Sequence, residues 1–453
     1  MIHTRACPAR PQRRPARRRA PHVDVLRLPR PRHPTDPDPD GARSAPLRRA
    51  DRGIRLLIGT DTYPPDVNGA AYFTARLARG LAERGVSVHV VCPSSGGRPY
   101  VAERDGVVEH RLRSMPSLAH ESVRLTVPAG ARGHLDRLLS RLRPDAVHVQ
   151  NHFIVGRTLT RAARDHGVPV VATNHFMPEN LFDYLRVPDS LRPHAARLAW
   201  WDLRTVLSDA EHVTTPTPAA ARLLREQGFT RTVEPVSCGI DLVRFSPSRA
   251  GAPERRRLRA RLGLPDRRTM LFVGRLDEEK RVEELIRAVA RIPDLQLALV
   301  GKGGGRRRLE AVAAAEGVAD RVVFLGFVSH ADLPDVYRCA DVFTIASIAE
   351  LQSIATLEAM ASGLPVVAAD AMALPHLVEV GRNGYLFPPG DHEALALRVA
   401  DVVADEDRRS RMGERSRAMA ERHRLADSLE RFERIYRDAA RGAVIGAAAG
   451  SAG

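Results

Sequence analysis

Short apolar runs alternate with amphipathic stretches along most of this chain. Ile54-Arg-Leu-Leu-Ile-Gly59 reads as a strand, followed by the turn-rich loop 60–70. Phe73, Leu77 and Leu81 then recur at helical spacing, which predicts a helix from about 71 to 84, ended by Gly85. Val86–Cys92 is the next strand, so the chain opens with a βαβ unit. Further strands are predicted at 145–149, 168–172 and 211–215. A second alternation begins near Pro235, with strands at 269–273, 295–300, 322–325, 341–345 and 365–369 and helices between them. The pattern predicts an α/β fold of two doubly wound, Rossmann-like domains, joined near 228–250. The expected boundaries are 53–230 for the first domain and 231–425 for the second. A helix at 426–441 is expected to cross back to the first domain, and a frayed tail at 442–453 follows.

Composition changes this picture at the N-terminus. The net charge is +16, yet residues 1–50 hold thirteen Arg and ten Pro against four Asp. More than half of the excess charge therefore sits in a segment with no periodicity, and 1–52 is expected to be a disordered basic tail; such an arm suits nucleic acid or an anionic membrane, but the preferred reading is a non-folding extension, with no nucleic acid as partner. Cys7, Cys92, Cys238 and Cys339 have no metal-ligand spacing, which favours a reducing, cytoplasmic setting. No apolar run approaches the ~18 residues that span a bilayer. Of 70 basic residues only Lys280 and Lys302 are Lys, and both fall in loops after predicted strands, where ligands bind in such sheets.

Candidate chemistry gathers in those loops. Ser347–Pro365 carries Glu350 in a strand-to-helix loop and Glu358 inside the predicted helix Ser353–Ala361, which Gly363 stops. Free N–H groups near Gln352 and Ser353 at that helix start suit an anion, and the flanking carboxylates suit hydroxyls. A nucleotide sugar has this shape. Arg275 and Lys280, five apart after the strand 269–273, suit a diphosphate, with Glu278 and Glu279 as alternative partners. Gly301-Lys-Gly-Gly-Gly305 is neither the dinucleotide fingerprint nor a phosphate-cradling NTPase loop, and reads as a backbone platform near a nucleotide. Asn68-Gly69 permits close approach of an anion or forms an ordinary turn. His148 and His152 start on a strand, so their spacing does not predict a metal pair. Asn174-His175, at a strand end, offers a substrate contact or a structural histidine.

Taken together, these stretches resemble the family-4 retaining glycosyltransferases of the GT-B fold, over roughly 53–430. The motifs are P-P-x-x-x-G (Pro64 to Gly69), T-N-H (Thr173 to His175), P-T (Pro216-Thr217), G-I-D-x-x-x-F (Gly239 to Phe245), V-G-R-x-x-x-x-K (Val273 to Lys280), E-x7-E (Glu350 to Glu358) and N-G-Y-L-F (Asn383 to Phe387). The resemblance implies two domains facing across a cleft and an enzyme that moves a hexose from a nucleotide-diphosphate sugar, of UDP-glucose or GDP-mannose type, with retention of configuration. It implies no cofactor and no metal. Arg275 and Lys280 would bind the diphosphate, Glu358 the ribose, Glu350 the sugar hydroxyls and the Gln352–Ser353 backbone a phosphate. Gly69 would line the donor pocket, with Asn174 and His175 on the acceptor side and His175 near the reacting sugar. Many relatives have Gly-Phe-Gly where this chain has Leu351-Gln352-Ser353, so these larger side chains are expected to affect which sugar fits.

T-N-H-F-M-P-E-N looks most like enzymes that glucosylate diacylglycerol, which implies a lipid acceptor at an anionic membrane surface and a peripheral location. A phosphatidylinositol-type mannosyltransferase and a transferase with a soluble acceptor are the alternatives, and a non-catalytic nucleotide-sugar binder is a remote one. Arg124–Arg143, with Leu135, Leu138, Leu139 and Leu142 at helical spacing, is either the membrane-facing helix or a core helix. Trp200-Trp201 is a second interface contact or ordinary packing.

Overall fold

The computed structural model describes residues 53–117, 124–182, 185, 187–248 and 252–450. The basic tail 1–52 and residues 451–453 lie outside them.

Two parallel sheets organise the described chain. The first contains β1 (Arg55–Gly59), β2 (Ser87–Pro93), β3 (Tyr100–Arg104) and β4 (Val107–Leu112). A separate hairpin, β5 (Ser114–Pro116) with β6 (Arg124–Thr126), follows. The first sheet then resumes with β7 (Ala146–Val149), β8 (Val170–Thr173), β9 (His212–Thr215) and β10 (Val233–Pro235). Its order is β10-β9-β8-β7-β1-β2-β4-β3, parallel except for β3 against β4. Its helices are α1 (Gly69–Glu83), α2 (Ala131–Leu142), α3 (Ile154–Asp165), α4 (Arg192–Leu207) and α5 (Pro218–Glu226). β10 pairs with β9, so the first domain extends to Pro235 and not to 230.

After α6 (Ala252–Arg261), the second sheet contains β11 (Arg268–Val273), β12 (Leu295–Val300), β13 (Val322–Gly326), β14 (Val342–Ile345), β15 (Val366–Ala369) and β16 (Gly384–Phe387). Its order is β13-β12-β11-β14-β15-β16, all parallel. Its helices are α7 (Val282–Ala290), α8 (Arg306–Ala315), α9 (Leu333–Cys339), α10 (Ile354–Ala361), α11 (His392–Ala404) and α12 (Glu406–Ala420). Strand order reverses between β11 and β14, and loops leaving the two sides of such a reversal frame a crevice. Arg275–Lys280 leaves β11 and Glu350 leaves β14.

The last helix, α13 (Leu425–Gly450), buries Leu429, Phe432, Ile435 and Tyr436 with Phe73, Leu77 and Leu81 of α1 on one face of the first sheet. It continues as helix to Gly450. The other face of the first sheet is covered by α2, α3 and α4, where Leu135, Leu138, Leu139 and Trp200 are buried. The α2 leucines are therefore core, which removes that helix as the membrane contact.

Candidate active site

The loop from β14 to α10 is fixed at both ends by the sequence that predicts it. Ser353 caps α10, its Oγ accepting from Thr356 N at 3.3 Å and from Thr356 Oγ1 at 2.8 Å. Gly363 has φ +77, which a residue with a Cβ rarely adopts, and it turns the chain so that Leu364 N bonds Ala359 O at 3.0 Å. Ile348 N donates to Glu279 O at 3.3 Å, tying this loop to the one after β11.

Lys280 and Glu350 meet across the crevice, Nζ to Oε1 at 2.6 Å, with Ser347 Oγ 3.5 Å from the ammonium. Both side chains are 14% exposed. Arg275 places Nη1 2.6 Å from Asp277 and Nη2 2.5 Å from Glu279. The second of these partners is one that the sequence offered; Glu278 instead lies 3.9 Å from Arg308. The glycine-rich loop after β12 has a packing reason for its composition. A Cβ on Gly301 would lie 1.7 Å from Gly274 O, and one on Gly305 2.4 Å from Leu276 O. These glycines let two loop backbones interlock, with Leu276 N donating to Lys302 O at 3.0 Å. Lys302 itself is exposed, with its ammonium over the Phe327 ring.

Glu358 is buried at 3% exposure and accepts from Tyr337 Oη at 2.8 Å. Burial pushes its carboxyl up to about 7, against the pull of that hydrogen bond and of the Arg76 and Arg244 charges. Arg76 reaches from α1 and donates from Nη2 to Cys238 O at 2.7 Å and Gly239 O at 2.6 Å. Arg244 and the Tyr72 hydroxyl both approach His330 Nδ1 at 2.8 Å. Sequence reasoning missed this cluster, because its members come from distant parts of the chain, Tyr72 and His330 alone being 258 residues apart.

On the first-domain side, Asn68 caps α1, accepting from Ala71 N at 2.8 Å, and Gly69 is its exposed first residue. A Cβ there would meet nothing within 4 Å, so the protein itself does not require glycine at this position. The preceding loop is anchored by Asp61, which accepts from Val155 N at 2.7 Å and Gly156 N at 3.2 Å at the start of α3. Burial, working against those two bonds and the Arg157 charge, raises the Asp61 carboxyl to about 6. Arg111, paired with Glu109 at 2.7 Å, donates to Pro64 O, also at 2.7 Å. Neither anchor was legible in the motif.

Asn174 is buried, and its Oδ1 accepts from Phe176 N at 3.1 Å, so it shapes the turn. His175 is half-buried, bonds Gln150 Oε1 through Nε2 at 3.0 Å and packs on Phe73. Its surroundings exclude enough water to hold it down at about 3, so it is neutral. His148 is bonded to Tyr436 and Thr173, and among the described residues no three His, Cys, Asp or Glu side chains are grouped to hold a metal ion.

The two domains touch through the stretch Leu351-Gln352-Ser353. Leu351 packs with Met177 and Ala220, and Thr217 Oγ1 donates to Leu351 O at 2.8 Å. Gln352 accepts from Cys238 N at 2.7 Å and donates to Ser237 Oγ at 3.0 Å. Leu351 thus faces the first domain and Gln352 the linker. Near this contact, Trp200 is buried and donates to Glu179 Oε1 at 2.7 Å, just after the His175 loop. Trp201 points the other way, 56% exposed, alongside Leu198 and Leu191.

Comparison with known proteins agrees with this architecture. Residues 67–244 match the family described as Glycosyltransferase Family 4, and residues 254–419 match Glycosyl transferases group 1. A GDP-mannose-dependent alpha-mannosyltransferase of Mycobacterium tuberculosis is 32% identical over 371 residues, covering 80% of this chain and 92% of that protein. A D-inositol 3-phosphate glycosyltransferase of Streptomyces scabiei is 30% identical, covering 84% of this chain and 90% of the other. Among solved structures, sucrose-phosphate synthase from Thermosynechococcus elongatus superposes with a TM-score of 0.73 at 23% identity, over 85% of this chain and 98% of that one. The chain belongs to the family-4 glycosyltransferases and is a hexosyltransferase enzyme with the two-domain GT-B fold.

Proposed function

We propose that this enzyme moves a hexose from a nucleoside diphosphate hexose to an acceptor hydroxyl, with retention of configuration and without a bound metal. The observation that carries the reading is the Lys280–Glu350 pair at the strand-order reversal, with Arg275 on the same loop. A departing diphosphate gains negative charge, and two cations at its site stabilise that charge as a metal does elsewhere. Donor binding replaces the Lys280–Glu350 contact: phosphate oxygens take the ammonium, and hexose hydroxyls take the carboxylate. Glu358 receives the ribose hydroxyls, Gly69 leaves room for the donor, and the neutral His175 ring meets the reacting sugar.

Relatives named for GDP-mannose and neighbours solved with UDP-glucose support a donor of one of these types. Thermal-shift and donor-hydrolysis screening with GDP- and UDP-hexoses tests the reading. Stabilisation by neither nucleotide class would overturn it.

A lipid acceptor is favoured by one observation. The outward pole of α4 carries Leu198 and Trp201, with Arg197 and Arg204 on its flank, and Trp200 ties the same helix to the turn after His175. An apolar stripe beside arginines suits an anionic bilayer surface next to the acceptor side. Trp200 and Trp201 are the only tryptophans, and Trp200 is already buried, so a blue shift on adding anionic vesicles reports Trp201. Trp201→Glu should abolish that shift; an unchanged emission in the parent protein would remove the membrane reading.

A further inference from the structure

Behind His175 lies a buried polar chain that the transfer reaction above does not use. It starts on α13, where the fully buried Tyr436 hydroxyl lies 2.8 Å from His148 Nδ1. His148 Nε2 lies 2.7 Å from Thr173 Oγ1, which is 2.6 Å from Thr214 Oγ1. Gln150, also fully buried, places its amide nitrogen 3.1 Å from both His148 ring nitrogens and its carbonyl oxygen 3.0 Å from His175 Nε2. Phe432 of α13 packs on His148 and on Phe73, whose ring in turn packs on His175.

The donors and acceptors in this chain leave little freedom. A neutral imidazole has one N–H and one lone pair. Hydroxyls rotate to suit either nitrogen, but an amide nitrogen only donates and an amide oxygen only accepts. Both His148 nitrogens have hydroxyl partners, and the Gln150 amide nitrogen, equidistant from them, lies over the ring face, where an N–H meets the π-electrons and an amide oxygen would be repelled. Gln150 therefore turns its oxygen to His175. His175 Nε2 must then carry the hydrogen. Its Nδ1 is left with a lone pair, and among the described residues no protein group bonds that atom.

We propose that Gln150, oriented by His148 and the Tyr436 hydroxyl, is a positioning residue that fixes the tautomer and ring plane of His175. The result is a bare Nδ1 offered as acceptor to a substrate hydroxyl. The C-terminal helix thereby becomes part of the site's construction. The catalytic consequence rests on the reading that His175 lines the transfer site; the tautomer does not.

The test uses the full-length protein labelled with 15N-histidine, and two-bond 1H–15N correlation, which separates the two neutral tautomers. His175 is assigned by its loss in His175→Asn. The expected spectrum of the parent protein shows His175 protonated at Nε2 at neutral pH. Gln150→Leu should mix the tautomers. Gln150→Glu, which still accepts but cannot donate to His148, should keep Nε2–H. Tyr436→Phe should broaden or shift the same resonances.

In kinetics, Gln150→Leu should lower kcat by about tenfold or more with donor KM nearly unchanged, and Gln150→Glu should restore part of the loss. A parent protein protonated at Nδ1 would overturn the proposal, even if every variant failed to fold. So would a tautomer unmoved in folded Gln150→Leu. A shifted tautomer with unchanged kcat would uphold the positioning and remove His175 from the reaction instead.

Discussion

Replacing Glu358 with Gln should separate a cost of burial from a gain in binding. The carboxyl lies 3% exposed, and burial raises it from 4.5 to about 7. That difference corresponds to about 3 kcal/mol. The folded protein holds the proton more tightly than the unfolded chain. Stability is therefore full below pH 4.5, falls as the pH rises toward 7, and then levels. Gln keeps the shape and can still accept from Tyr337, but it carries no charge. Denaturant unfolding from pH 4.5 to 8 should show the parent losing up to about 3 kcal/mol relative to Glu358→Gln.

Donor binding should run the other way. Ribose hydroxyls donate to an ionised carboxylate, so donor KM in the parent should fall as pH rises through about 7. In Glu358→Gln it should be higher above pH 7 and nearly flat. Asp61, raised to about 6, titrates in this window in parent and variant alike, so the difference between them reports Glu358; His148 and His175, held down at about 3, do not titrate there. Identical pH slopes for parent and variant, in stability and in KM, would refute the reasoning.

Lys280→Ala should lower kcat/KM by about a hundredfold or more, and Lys280→Arg should recover only part of it, because the guanidinium cannot place its charge at the same point; near-normal turnover in Lys280→Ala would remove the diphosphate role. Glu350→Ala should lower kcat as well as weaken donor binding, measured at saturating donor, because its contact is with the reacting sugar. Gln352→Ala should loosen the linker at Cys238, raising donor KM and protease susceptibility there with little change in donor sugar preference; altered preference would place this stretch in the sugar pocket. Activity should persist in EDTA, and restoration by Mg²⁺ or Mn²⁺ of activity lost there would contradict the metal-free reading.

Most of the parallel strands and α10 were legible because buried strands read as short apolar runs and because Ser353 and Gly363 mark a helix's ends. The short β10 and β16 were not, and neither was β4, whose Glu109 and Arg111 satisfy each other inside the fold. The loop positions of Arg275, Lys280, Glu350 and His175 followed from the alternation of elements. Their partners did not. Nothing near Glu358 in the sequence announces Tyr337, and nothing near His175 announces Gln150, because these contacts are made by strands and helices that meet only on folding. Helical spacing also could not separate the buried leucines of α2 from an exposed stripe. On α4 the buried face carries Trp200 and Leu203, and the adjacent Trp201 faces outward.

Retaining transfer from a nucleoside diphosphate hexose can be followed at the anomeric carbon by NMR with GDP-[1-13C]mannose and UDP-[1-13C]glucose as donors. One donor should be consumed, and its anomeric signal should reappear in product with the donor's α configuration. A β product, or no turnover of either donor with any acceptor hydroxyl supplied, would contradict retaining transfer.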